Sequence, residues 1–149
     1  MSSLAMTRQE RETFLAETHV GVISIERPDR APLTVPIWYG YEPGGAVTII
    51  TSKGSVKAAL IDESGRFSLC AQSEVMPYKY VSVEGAVTSI EPFDVEADLR
   101  PMSRRYLGDE MGDAYVDNEP PGENVTIRMQ PQRWYTVDYA KMAAPTPAD

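Results

Sequence analysis

Six or seven short runs rich in β-branched and aromatic residues, mostly separated by a few turn-forming residues, constrain this chain more than any other feature. Val20–Ile25 turns at Pro28-Asp29-Arg30 into Leu33–Tyr41, and Pro43-Gly44-Gly45 turns that run into Ala46–Thr51. Arg66–Gln72 and Tyr78–Ile90 alternate apolar and polar, and Gly85 inside the longer run marks a bulge or bend. Val125–Met129 and Trp134–Tyr139 follow, with Pro131 between them. Connections this tight favour antiparallel pairing and a barrel over a doubly wound sheet, so the chain is expected to be mainly β with peripheral helices.

The helices are few. Thr7 and Glu10 have capping-box spacing and open a helix to about Glu17, with Phe14 and Leu15 as its apolar contacts. A second helix is expected from Ser55 to about Asp62. The stretch from Asp94 to Tyr106 is helix-like but contains Pro101, so two short pieces are expected. Gly108–Glu123, acidic and glycine-containing, reads as a solvated loop with one helical turn near Asp113–Val116, and as the segment that shapes a substrate site. Residues 143–149 read as a loose tail.

A chain of 149 residues suits one domain, with its core over about 11–139. The net charge of −8 and pI of about 4.7 argue against a nucleic-acid binder, whose affinity comes from neutralising phosphates, but allow a local basic pocket. Cys70 is the only cysteine, which excludes an intrachain disulfide and argues against a thiolate metal site. No apolar run approaches the roughly 18 residues of a membrane span. Met1–Met6 lacks the regions of a signal peptide. A soluble protein of the reducing cytoplasm is the expectation.

Chemistry concentrates in Thr51-Ser52-Lys53-Gly54-Ser55-Val56-Lys57, which joins a strand to a helix start. Unpaired N–H groups and the helix dipole favour an anion there, three hydroxyls can donate, and two lysines supply charge. The same residues also suit a plain capped helix with solvent-facing lysines, and neither P-loop nor Rossmann spacing is present. Pro36 inside a strand implies an edge or a bulge, where backbone groups can face a ligand. Trp38 and Tyr39 point to opposite faces, one into the core and one toward a groove or partner. Met76-Pro77-Tyr78-Lys79-Tyr80 puts two tyrosines on one face, for an aromatic pocket or a subunit interface. His19, the only histidine, reads as structural, and Cys70 as an inert buried thiol.

Taken in order, these segments resemble the pyridoxamine 5′-phosphate oxidase-like split-barrel proteins, and within them the actinobacterial branch that uses the deazaflavin coenzyme F420. His19–Ser24, Val35–Tyr39, Thr51–Lys57, Tyr80–Gly85 and Arg133-Trp134-Tyr135 carry the resemblance, which spans roughly Arg11 to Tyr139. It implies a six-stranded antiparallel split β-barrel that forms a homodimer with two cofactor grooves at its interface. It implies that Thr51, Ser52, Lys53, Ser55, Val56 and Lys57 hold the cofactor phosphate. It implies that Val35, Pro36, Ile37 and Trp38 run beside the ring, and that Pro77, Tyr78 and Tyr80, with Gln72, approach from the partner chain. Lys79 joins Lys53 and Lys57 in a basic rim for the polyglutamate tail.

Such proteins pass hydride from the cofactor to a small organic substrate, so no acid–base dyad is required of the chain. FMN is the alternative cofactor, since it shares the ring shape and the phosphate. A non-catalytic protein that stores a flavin or deazaflavin, or holds haem, is a second alternative, and a dimer with an empty groove a third.

Overall fold

The computed structural model describes residues 3–118 and 122–142. Thr7 caps α1 (Arg8–Ala16): its hydroxyl accepts from the Glu10 N–H while the Glu10 carboxylate accepts from the Thr7 N–H. β1 (Gly21–Arg27) and β2 (Arg30–Ile37) form a hairpin around Pro28-Asp29, with Asp29 in the left-handed region at φ 62°. β3 (Val47–Ser52) runs into α2 (Val56–Ser64), which Gly65 ends in the left-handed conformation. β4 (Arg66–Ser73) and β5 (Lys79–Pro92) follow. A π-turn at Val95–Leu99 leads into α3 (Arg100–Leu107), then α4 (Asp109–Asn118) and β6 (Asn124–Asp138).

All strands pair antiparallel in one curled sheet of six, in the order β2-β1-β4-β5-β6-β3. β6 is the hinge of this arrangement. Its full length pairs with β5, and its first half also pairs with β3 on the other side. Inward-facing residues of alternating parity fill the concave side: Ile23, Ile25, Ile49, Leu69, Ile127 and Met129 are fully buried, and Phe14 and Leu15 of α1 plug one end. Among the described residues no helix is long and apolar enough to cross a membrane.

Three expectations are corrected. The last two runs are one strand, because Pro131 falls opposite Gly85, where the ladder shifts register. A side chain on Gly85 would meet the Gln130 carbonyl oxygen at 1.8 Å, so the bulge is built on glycine and absorbs the proline's missing N–H. Gly108–Glu123 is not a loop: most of it is α4, whose acidic side chains are drawn onto arginines of the preceding elements. β2 ends at Ile37 rather than Tyr41, because the Tyr39 backbone turns its hydrogen bonds to a helix. The break at Pro101 falls as expected, with Pro101 in the first turn of α3, where its absent N–H costs nothing. The tail at 143–149 lies outside the described residues.

Candidate functional site

The strand order leaves β2 and β3 as the two free edges of the sheet. They touch just beyond β2 through one bridge, Gly40 with Thr48, closed by two hydrogen bonds of 2.8 and 2.9 Å. Running away from this bridge, Trp38 back to Val35 flanks one side and Ile50 to Ser52 the other, with no further ladder pairing between them among the described residues. This is the split of the barrel. Tyr106 of α3 helps keep it open. Its hydroxyl accepts from the Tyr39 N–H at 3.0 Å, donates to the His19 carbonyl at 2.6 Å, and lies 3.1 Å from the Tyr39 carbonyl oxygen. Pro36 sits on the edge strand, where its missing N–H removes no ladder bond.

Thr51–Lys57 lies at the end of β3, beside the split. Ser55 is the N-cap of α2: its Oγ accepts from the Ala58 N–H at 3.1 Å and lies 3.0 Å from the Thr51 hydroxyl. The Ser55 N–H donates to the Ser52 carbonyl at 3.0 Å, and the Lys53 N–H to the Glu123 carbonyl at 2.8 Å. The loop is therefore fixed by its own backbone. What remains outward is the donor set an anion needs: the first-turn N–H groups of Val56 and Lys57, the exposed Ser52 hydroxyl and the ammonium groups of Lys53 and Lys57. Thr51 is buried and acts through Ser55.

The other expected residues are brought together only in part. Val35, Pro36, Ile37 and Trp38 flank the split opposite Thr51 and Ser52. Tyr39 is fully buried, with its hydroxyl donating to the Leu15 carbonyl at 2.7 Å, so Trp38 faces outward as alternation requires. Gln72 pairs with Tyr80 across β4 and β5, and exposed Pro77 and Tyr78 lie in the connection between them. These residues lie at the far end of β5 and β6. Tyr80 is opposite Val137 while Thr51 is opposite Val125, a contour of roughly 40 Å along β6 at about 3.3 Å per residue, which the curl of the sheet shortens through space. Lys79 lies at that far end too, with its ammonium 5.9 Å from the Phe14 ring.

Between the two ends, the outer face of the sheet carries a row, exposed at Pro36, Val22 and Tyr135 and half-buried at Cys70 and Ser82, whose members are successive neighbours across β2, β1, β4, β5 and β6. Burial pushes the Cys70 thiol upward, which suits an inert group. His19 is structural, with Nε2 3.1 Å from the Phe14 carbonyl oxygen and its ring stacked on Phe14. No cluster of metal-ligating side chains occurs among the described residues.

Tyr106 and Tyr115 escaped the sequence reading. Tyr106 stacks on Trp38 with centroids 4.7 Å apart and planes 8° apart, and Tyr115 of α4 approaches the same indole at 6.5 Å. The available signal was the spacing of four between Met102 and Tyr106, and between Met111 and Tyr115, which puts each pair on one helix face.

The family model described as pyridoxamine 5′-phosphate oxidase matches residues 7–138. A biliverdin reductase of Mycobacterium tuberculosis that depends on reduced F420 is 31% identical over 123 residues, covering 80% of each chain. Among solved structures, a conserved hypothetical protein of Mycobacterium tuberculosis superposes with a TM-score of 0.78 at 21% identity, covering 100% of this chain and 95% of its own. A protein described as an F420 reductase superposes with a TM-score of 0.69 at 23% identity, covering 83% of this chain and 94% of its own. The sheet order with its single split matches the fold of these structures, and the chain is an oxidoreductase by the identity it shares with the curated reductase. From the match over nearly its whole length, this chain belongs to the pyridoxamine 5′-phosphate oxidase family.

Proposed function

We infer that this oxidoreductase binds coenzyme F420 in the split of the barrel and passes hydride to a small conjugated organic substrate. One observation carries the reading: the opening between the sheet edges ends on a helix start whose hydroxyls, free N–H groups and two ammonium groups suit a phosphate. Ser52 and the N–H groups of Val56 and Lys57 hold the phosphate oxygens, with Lys53 and Lys57 as point charges and Thr51 and Ser55 bonded to each other to fix the loop. The backbone of Val35, Pro36, Ile37 and Trp38 lies along the ring edge.

Gln72, Pro77, Tyr78 and Tyr80 lie twelve residues along β6 from the cradle, beside the free outer face of the sheet, and serve the groove of a second copy. The row from Pro36 to Tyr135 gives a homodimer its contact face. When bound, the reduced coenzyme supplies the hydride and is left oxidised; the substrate gains a C–H bond and takes its proton from solvent or a nearby tyrosine. The cytoplasm is the compartment proposed, since the single cysteine, Cys70, is a free thiol.

The test is turnover. Protein mixed anaerobically with reduced F420 and a panel of conjugated acceptors, biliverdin and neutral quinones among them, should restore the absorbance of the oxidised coenzyme. No acceptor-dependent oxidation across the panel, with the coenzyme bound, would leave a carrier protein in place of a reductase.

A further inference from the structure

The hairpin of α3 and α4 lies over the split from outside. Met102 sits 3.8 Å from where a side chain on Gly40 would begin, above the bridge, and one turn further Tyr106 covers one face of the Trp38 indole. α4 is held against α3 by more than packing. Arg100 bonds Asp113 and Asp117 at 2.9 and 2.8 Å, and Arg104 bonds Asp113 at 2.8 and 3.0 Å. Gly112 lets the backbones meet, since a Cβ there would be 2.7 Å from the Arg104 backbone. A helix fixed this firmly nevertheless leaves Met111 64% and Tyr115 40% exposed, one above the other, with Tyr115 inclined at 57° to the indole of Trp38.

The charges around this patch are already satisfied. Arg100 and Arg104 are paired with carboxylates, and Arg105 donates to the carbonyls of Leu15, Ala16 and Glu17. The first turn of α4 adds Asp109 and Glu110. No cation of α3 is thus left to meet an anionic ligand, while Tyr115, inclined to the indole that flanks the split, and Met111 one turn before it offer an apolar contact.

We propose that Met111 and Tyr115, with the indole of Trp38, form the substrate-side wall of the groove and select flat, conjugated, uncharged substrates over anionic ones. The wall rests on the reading of the split as the cofactor groove but is tested apart from it. Trp134→Phe leaves Trp38 as the only indole. In that background, duroquinone, a neutral flat quinone that does not alkylate thiols, should quench Trp38 saturably. Met111→Ala/Tyr115→Ala should weaken that binding by about tenfold, and Tyr115→Leu by less. Anthraquinone-2,6-disulfonate has the larger ring system and would bind more tightly if ring area alone decided; it should bind more weakly.

Affinity for oxidised F420, followed by the coenzyme's own fluorescence, should be unchanged in the double variant. Quenching by duroquinone that is indifferent to both substitutions overturns the wall, as does tighter binding of the disulfonate. A shift of the double variant from dimer to monomer in sedimentation also overturns it, by making the patch a subunit interface. Absence of F420 binding with duroquinone quenching intact defeats the cofactor reading and leaves the wall standing.

Discussion

Ser55 and Lys57 divide the work of the cradle between them. Ser55 spends its oxygen on the helix cap and on Thr51, so its contribution is to hold the loop in shape. Lys57 is one of two ammonium groups there and is half-buried at the second position of the helix, where its charge adds to the dipole. Lys57→Ala should weaken F420 binding by ten- to a hundredfold, from about 1.5–3 kcal/mol for a charged contact. The measurement is a fluorescence titration of the coenzyme against both proteins, and equal affinities would remove Lys57 from the site. The turn from strand to capped helix was legible in the sequence because its logic is local: strand, hydroxyls, glycine and helix cap follow within seven residues. Tyr106 was not legible, because its partner Tyr39 lies 67 residues away and the contact is to backbone rather than to a matching side chain.

At the scale of elements, the strands were readable because their period of two and their turns are written within each run. Two of the three corrections share a cause, support from elsewhere in the chain. β6 passes through Pro131 because Gly85 of another strand bulges opposite it, and α4 is drawn out of an apparent loop by arginines of α3. That coupling makes predictions. Gly112→Ala drives a methyl into the Arg104 backbone and should destabilise the protein by about 1–3 kcal/mol in urea unfolding. An unchanged midpoint would show that α4 is not locked where described.

Acid acts on the same clamp. Hydrogen bonds from Arg104, then from Arg100, hold the Asp113 carboxyl at about 2, below its ordinary 3.8. A carboxylate depressed in the folded state adds stability above its unfolded value and loses it as pH falls toward the folded one. Thermal stability should therefore drop between about pH 4 and pH 2, and Asp113→Asn should flatten part of that drop. Identical pH profiles for the two proteins would contradict the clamp.

The molecule as a whole is one curled antiparallel sheet whose two edges meet, among the described residues, at a single bridge, and the proposed ligand enters beside it. Closing the barrel fully would have paired the outward backbone groups of Pro36 and Trp38; Val35 and Ile37 turn theirs to β1. The same long strands that build the sheet carry Tyr78 and Tyr80 away from the cradle, so the second copy is part of the proposed site rather than an ornament to it. The sequence order of the segments suggested a common groove, but only the strand register reveals which segments one chain can bring together.

The measurement that bears most directly on this reading is a titration of the purified protein with oxidised F420 and, separately, with FMN. Saturable binding of F420 in the micromolar range or tighter, stronger than that of FMN and weakened by Lys57→Ala, is the predicted result. No saturable binding of either cofactor would contradict it.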